Sequence, residues 1–385
     1  MRVKIKDIAK QIRGVSYKPI DVMDSLTKSS ITLLRANNIS DGVINFEEVA
    51  FINKQRVKEN QLLRKGDILI CTSSGSKALV GKAAYVDKDM STTFGAFCKV
   101  VRTIKGNARY LGYFFDSPYY RSIISNASAG ANINNIKTND IDNLKVKWPN
   151  IERQNEIAEI LDKVTSIIDL RKHQIVELNQ LAKSRFLEMF GEPWVNDKEF
   201  PCYSVGQVAE SVTYGTSAPA SDSGQYEYLR MNNLTDNGQL DLSDLKRIDM
   251  SDEQAEKYMV KKGDILFNRT NSIDLVGKTA LFNLNNPMII AGYLIRIRLS
   301  DKVNPVYFVA YMNMPYMKEK LRNIAKGAVN QANINSKELK SIQILIPPLS
   351  LQNEYCNFVL SIDKSKYREA IFLYLLEDIR ICCNI

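Results

Sequence analysis

The sequence predicts an α+β protein: two similar mixed α/β domains separated by long helices, which pair as an antiparallel coiled coil about a pseudo-twofold axis. Three observations predict this. A stretch opening Ile151-Glu152-Arg153-Gln154 runs to Phe190 without Gly or Pro. The segments on either side of it repeat one another in order. Each copy leads into a helix that opens on the same tripeptide, Gln154-Asn155-Glu156 in one and Gln352-Asn353-Glu354 in the other. The expected divisions are 1–150 for the first domain, 151–195 for the central helix, 196–349 for the second domain and 350–385 for the distal helix.

The central helix carries Ile157, Leu161, Val164, Ile168, Ile175, Leu178, Ala182 and Met189 at coiled-coil spacing, interrupted at Arg171 and Arg185. Pro149 stands before it, and Gly191 and Pro193 close it. About 37 residues at 1.5 Å each give a rod of roughly 55 Å. Helices packed on a single domain average three or four turns, so a spacer between domains is the better reading.

The repeat is written through both domains. Val3-Lys4-Ile5-Lys6-Asp7-Ile8-Ala9 has the apolar spacing of Tyr203-Ser204-Val205-Gly206-Gln207-Val208-Ala209. Leu34-Arg35-Ala36-Asn37-Asn38-Ile39 is answered by Leu229-Arg230-Met231-Asn232-Asn233-Leu234. Lys65-Gly66-Asp67-Ile68-Leu69 returns as Lys262-Gly263-Asp264-Ile265-Leu266, turns leading into short strands. Val80-Gly81-Lys82-Ala83-Ala84 returns as Val276-Gly277-Lys278-Thr279-Ala280, and Gly130-Ala131-Asn132-Ile133-Asn134 is matched with Gln331-Ala332-Asn333-Ile334-Asn335. Residues 110–115 and 307–312 suit helices, each followed by a proline. Residues 144–149 and 342–348 read as apolar strands ended by proline. The last helix ends in Arg380-Ile381-Cys382-Cys383-Asn384-Ile385, without the Phe190-Gly191 close, and is expected to be short.

Charge is unevenly placed. The net is +9, yet the central helix holds six basic and seven acidic residues and the tail 351–385 holds four and five. The domains therefore carry about +11, which suggests that they meet a polyanion. No apolar run spans a membrane and no secretory leader opens the sequence, so a cytoplasmic protein is expected. Six cysteines without a Cys-x-x-Cys pair read as reduced thiols, mostly in the core.

Catalytic constellations are scarce. His173 is the single histidine and falls inside the central helix, where it reads as a solvated residue rather than a catalyst or metal ligand. Val276-Gly277-Lys278-Thr279 imitates the end of a phosphate loop, but Ser272 replaces the leading glycine and the other copy has Ala83 where a hydroxyl is needed. Glu338-Leu339-Lys340 is too short to specify a nuclease. Asn304-Pro305-Val306-Tyr307 lacks the second proline of an amino-methyltransferase signature. No Gly-x-Gly cofactor loop is present.

What recurs is amide-rich and basic. Asn and Gln pair bidentately with adenine, and Arg or Lys with guanine. The candidates are Arg35, Asn37 and Asn38; Arg230, Asn232 and Asn233; Asn268, Arg269, Thr270 and Asn271; Asn330, Gln331, Asn333 and Asn335; and Asn132 and Asn134. Thr72, Ser73, Ser74 and Lys77, with Lys82 and Lys278, supply hydroxyls and cations suited to phosphates. Taken singly, each suits an Asx-turn or loop equally well.

Together the duplicated domains, the two Lys-Gly-Asp-Ile-Leu strings, the Ala-Asn-Ile-Asn strings at 131–134 and 332–335, and the helix opening Glu152-Arg153-Gln154-Asn155-Glu156 resemble the specificity subunit of type I restriction-modification systems. The resemblance covers essentially the whole chain. It implies two target recognition domains, each reading half of a split site on double-stranded DNA, and no catalysis or cofactor in this chain. The implied partners are two modification subunits, which use S-adenosylmethionine to methylate adenine, and restriction subunits, which cleave with ATP and magnesium. The competing expectation is a basic coiled-coil scaffold that binds DNA without sequence preference.

Overall fold

Ile68, Leu69, Ile70 and Cys71 form an unbroken apolar run, the pattern of a strand covered on both faces. In the computed structural model, which describes residues 1–40, 42–76, 79–128, 135–328 and 331–382, the strand Asp67–Cys71 is buried along its whole length. The chain divides into two compact units, one of Met1–Leu170 with the segment from Phe372 onward, the other Arg171–Ile371.

In the first unit, Asp67–Cys71 lies in an antiparallel sheet ordered Ala9–Arg13, Cys98–Thr103, Asp67–Cys71, Ala83–Tyr85. Ile68 and Ile70 face a core built on Tyr110, Phe114 and Tyr120, while Leu69 and Cys71 face Leu34, Phe94 and Cys98. The second unit repeats this sheet as Ala209–Tyr214, Leu294–Leu299, Ile265–Asn268, Thr279–Leu281. Ile265 and Phe267 face one core and Leu266 the other. Each unit adds a mixed four-stranded sheet with one parallel pair: Thr92–Phe94 on Ser30–Leu34, and Tyr226–Leu229 on Met288–Ile290.

The recurring strings are largely fastenings of this fold. Asp67 accepts from the Arg64 amide at 2.9 Å and from Arg102 Nε and Nη2, both at 2.6 Å. Asp264 does the same with the Lys261 amide and with Arg298, at 2.9 Å each. The turn before each aspartate bends through a glycine in the left-handed region, Gly66 at φ 89° and Gly263 at φ 96°. The expected helices form at Ala108–Asp116 and Pro305–Met312, where Pro305 takes the first-turn position that needs no donor. Tyr110 and Tyr307 donate to the carbonyls of Lys147 and Leu345 at 2.9 and 2.8 Å, tying each helix to the closing strand. Those strands, Lys145–Lys147 and Gln343–Leu345, pair with Arg2–Lys4 and Cys202–Ser204.

The Gln-Asn-Glu helix openings have the same explanation. Buried Gln154 accepts from the Asn107 amide at 2.9 Å and donates to Pro149 O at 2.8 Å. Gln352 repeats both bonds, with Asn304 at 2.8 Å and Pro347 at 2.7 Å. The central helix runs Ile151–Phe190, 40 residues, and the last Leu349–Cys382, 34 residues, so the last helix is the shorter of the two, as expected, and still long. Neither Gly nor Pro falls within 349–382, so nothing in the sequence breaks that helix.

Within the second unit, residues 171–190 lie antiparallel to the last helix through Arg171–Glu369 at 3.1 Å, Lys366–Asn179 at 3.1 Å and Arg185–Glu354 at 2.9 Å. The two arginines that interrupt the apolar seam are thus its ion-paired contacts. Leu161, Val164, Ile168 and Met189 are buried as the spacing predicts, whereas Ile175, Leu178 and Ala182 are half-buried. In the first unit Val164 and Ile168 pack on Leu373 and Leu376. His173 is exposed, 3.7 Å from Glu177. Cys71 and Cys98 are buried free thiols, while Cys202 is exposed. Among the described residues no helix is long and apolar enough to cross a membrane.

Candidate nucleic-acid interface

In both units the central strand runs out into a polar segment, 72–74 in the first and 269–271 in the second. The Thr72 amide donates to Phe97 O at 2.9 Å, and the Arg269 amide to Tyr293 O at 3.0 Å. From the other side Ile136 donates to Thr72 O at 2.7 Å, and Ile334 to Arg269 O at 2.9 Å. Asn135 pairs with Ser73 as Asn333 pairs with Thr270. This corrects the sequence matching: Asn135-Ile136-Lys137, not 132–134, are the counterparts of Asn333-Ile334-Asn335. Asn132 and Asn134, like Lys77 and Asn330, lie outside the described residues.

A cleft of about 570 Å³ opens over this segment in the first unit, lined by Arg13, Ser73, Phe97, Lys99, Asn135 and Lys137 among others. Among the described residues, three cations line it and no carboxylate does. Arg13 and Lys99 sit directly opposite each other across two strands. Like charges in that register destabilise a sheet, and burial, then Arg13, lowers the Lys99 pKa, with Asp140 and Asp142 offsetting part of the shift. An anion in the cleft would relieve this repulsion. In the second unit a cleft of about 360 Å³ is lined by Thr270, Lys326, Gln331, Asn333, Asn335 and Glu338. Here Lys326 is paired with Glu338 at 2.6 Å. Arg269 lies nearby, its guanidinium carbon 4.8 Å from the Tyr214 ring.

The structure brings together Thr72 and Ser73 in one cleft and Thr270, Gln331, Asn333 and Asn335 in the other. It withdraws several other candidates. Asn38 and Asn233 are buried; each accepts from its own turn, from the Arg35 amide at 2.9 Å and the Arg230 amide at 2.8 Å. Their amide nitrogens donate to backbone carbonyls, Asn45 O at 3.1 Å and Asp241 O at 2.8 Å. These are Asx fastenings, and no amide remains to read a base. Asn268 is wholly buried, in the place that Cys71 takes in the first unit, so it cannot reach DNA either. Lys278 is mostly buried, 3.2 Å from Asp236. Arg230 is paired with Asp244 at 2.7 Å. Buried Thr72 donates its hydroxyl to Phe97 O at 3.1 Å. Asn335 caps the helix Ser336–Ser341, accepting from the Glu338 amide at 2.9 Å. The Asn335 amide in turn donates to Glu338 Oε2 at 2.9 Å, so Glu338 is a capping-box residue rather than part of a nuclease motif.

Asn271 accepts from the Ser272 amide at 2.9 Å, and Ser74 from the Ser76 amide at 3.2 Å. Arg35, Asn37 and Asn232 are exposed and Lys82 is half-buried, but none of them lines either cleft. Arg13, Lys99, Lys137, Phe97 and Tyr293 escaped the sequence reading. The register of strand pairing within the first unit is what brings Arg13, Phe97 and Lys99 to one cleft, and no string search supplies that register.

Two copies of one mixed α/β scaffold, each presenting a polar cleft at the end of its central strand, define a tandem-domain protein of the DNA-reading class. Family comparison agrees: residues 3–180 and 198–371 both match the type I restriction modification DNA specificity domain, and the chain belongs to that family. It is 31% identical over 367 residues to the type I restriction enzyme EcoKI specificity subunit of Escherichia coli (strain K12), covering 91% of this chain and 79% of that protein. It is 30% identical, with the same coverage, to the StySPI specificity subunit of Salmonella potsdam. The fold is similar to that of the S subunit of a type I system from M. genitalium, with a TM-score of 0.55 at 12% identity over 100% of this chain and 94% of that one. A chain from a structure of type I system assembly gives 0.56 at 17%, over 100% and 96%.

Proposed function

We propose that each domain reads one half of a split DNA site and that the chain, itself without catalysis or cofactor, positions the subunits that act. Modification subunits, two per chain, would supply S-adenosylmethionine and methylate adenine; restriction subunits would supply ATP and magnesium for cleavage. The observation that carries the reading is the carboxylate-free cleft of the first unit, where Arg13 and Lys99 face each other across the sheet. Phosphate contacts position a protein on the duplex, and base contacts specify the sequence. The arginine and lysines suit the first task; Ser73, Asn135, Gln331 and Asn333 suit the second.

Mapping methylated adenines genome-wide in cells with and without this chain tests the function. One split motif that depends on the chain is the expected result. Methylation unchanged by its removal would sink the reading. A basic scaffold would instead bind all DNA alike, and selection from random duplexes would return no motif. Replacing Arg13 and Lys99 by Ala should weaken binding to all sequences and reduce the slope of log affinity against log salt by about 2.

A further inference from the structure

Two exposed aromatic rings occupy one structural position in the two units. Phe97 is 69% exposed and Tyr293 50%. Their backbones are nevertheless held firmly. Phe97 O accepts from Thr72 N at 2.9 Å, Ser73 N at 3.1 Å and Thr72 Oγ1 at 3.1 Å. Tyr293 O accepts from Arg269 N at 3.0 Å. Both rings stand in equivalent turns, closed by Cys98 N donating to Gly95 O and Leu294 N to Ala291 O, each at 2.8 Å. Each ring therefore stands on a fixed backbone beside the segment that forms the cleft.

A lone exposed aromatic needs no explanation, because much of any protein surface is apolar. The case here is different. The side chains around the two rings have diverged, with Arg13 answered by Tyr214 and Lys99 by Ile295, yet an exposed ring persists in both units. The surroundings of each ring also suit a nucleic acid. Phe97 lines the same cleft as Arg13, Lys99 and Lys137. The turn carrying Tyr293 also carries Gly292, whose carbonyl accepts from Arg269 at 3.5 Å. Cations of this kind hold phosphates, while an apolar ring gains by leaving water against a base.

We propose that Phe97 and Tyr293 are the apolar base contacts of the two half-sites, each ring packing against a base in the groove its own domain occupies. This rests on the reading of the chain as a split-site DNA reader and adds to it the residues that sense base shape and methyl groups. Rings held on a rigid backbone lose little freedom on binding, which favours this role over a flexible phosphate contact.

The test uses the full chain with modification subunits present, a duplex carrying its motif and a scrambled duplex. Phe97→Ala should lower affinity for the motif by roughly tenfold or more, leaving scrambled binding and the salt slope unchanged. Selection with this variant should relax one or two positions in one half-site only, and Tyr293→Ala should do the same in the other half-site. Tyr293→Phe, which keeps the ring, should bind like the parent. Thermal melting of each variant checks folding, and little change is expected at such exposed positions. Motif affinity unchanged in both alanine variants, or equal losses on both duplexes, overturns the proposal. A parent chain that does not distinguish the duplexes would instead break the split-site reading, so the two failures are separable.

Discussion

The first unit fills a space that the second leaves open. Beside the helix Ala108–Asp116, Arg109 meets Asp162 at 2.5 Å, and Tyr113 donates to the same carboxylate at 2.7 Å. The guanidinium also lies over the rings of Tyr85 and Tyr113, at 4.6 and 4.5 Å. Only about 70 Å³ remains there. At the equivalent positions the second unit has Val306, Leu360, Ala310 and Leu281, and a cavity of about 360 Å³. The clefts differ in the same manner, basic in one unit and largely neutral in the other. The duplication has kept the aspartate, glutamine and tyrosine bonds that set the backbone and has let the side chains projecting from it diverge. That is what two readers of different half-sites need.

The largest test of this contrast bears on the kept bonds. Asp67→Ala would leave Arg102, 13% exposed, without its carboxylate, and should cost the first unit about 3–5 kcal/mol. Asp264→Ala should cost the second unit less, roughly 1–3 kcal/mol, because Arg298 is 37% exposed and water can replace the lost partner. Hydrogen exchange in the two central sheets during urea titration would measure each; equal losses would remove the distinction.

Next in size is the filled space. Tyr113→Ala should destabilise the first unit by about 3 kcal/mol, through lost packing and an abandoned Asp162. The reverse exchange, Ala310→Tyr into the open cavity, should raise the second unit's stability by ~1 kcal/mol or less. A large loss on that exchange would mean that the cavity walls cannot accept a ring.

A further contrast depends on pH. Lys318 is largely buried and donates to Gly277 O at 3.1 Å, and burial lowers its pKa from 10.5 to about 8. Its counterpart in the first unit is an arginine, Arg121, which donates to Val80 O at 3.0 Å. Between pH 8 and 10.5 the unfolded lysine holds a proton that the folded one has released. The second unit should therefore become more stable as pH rises through that window, by about 1–3 kcal/mol. Lys318→Met should abolish the gain, and the first unit should show none from this position. Denaturant midpoints taken across the window decide it.

The architecture was legible in the sequence because it is periodic and repeated. The seam Leu161, Val164, Ile168 announces a helix at any register, and a string such as Lys-Gly-Asp-Ile-Leu, written twice, marks two domains without revealing what it does. The site was legible only in part. Asn38 and Asn233 drew attention as amides that could read DNA, yet they hold turns, because an asparagine in a loop has its own backbone within closer reach than any ligand. The matching of the Ala-Asn-Ile-Asn strings slipped by three residues for a similar reason: local identity outweighed a backbone bond between Ile136 and Thr72 that no string displays.

The sequence by itself determined the duplication, the two long helices and the short strands after each Lys-Gly-Asp turn, since each follows from spacing along the chain; the repeated strings carried the resemblance to the family. The tertiary structure alone decided which polar side chains face outward. Arg13 and Lys99 are 86 positions apart in the numbering and become neighbours only when Ala9–Arg13 pairs with Cys98–Thr103. Strand register is a long-range property, set by the packing of both sheet faces. A shift of one residue would have turned those two charges away from the cleft and a different pair toward it.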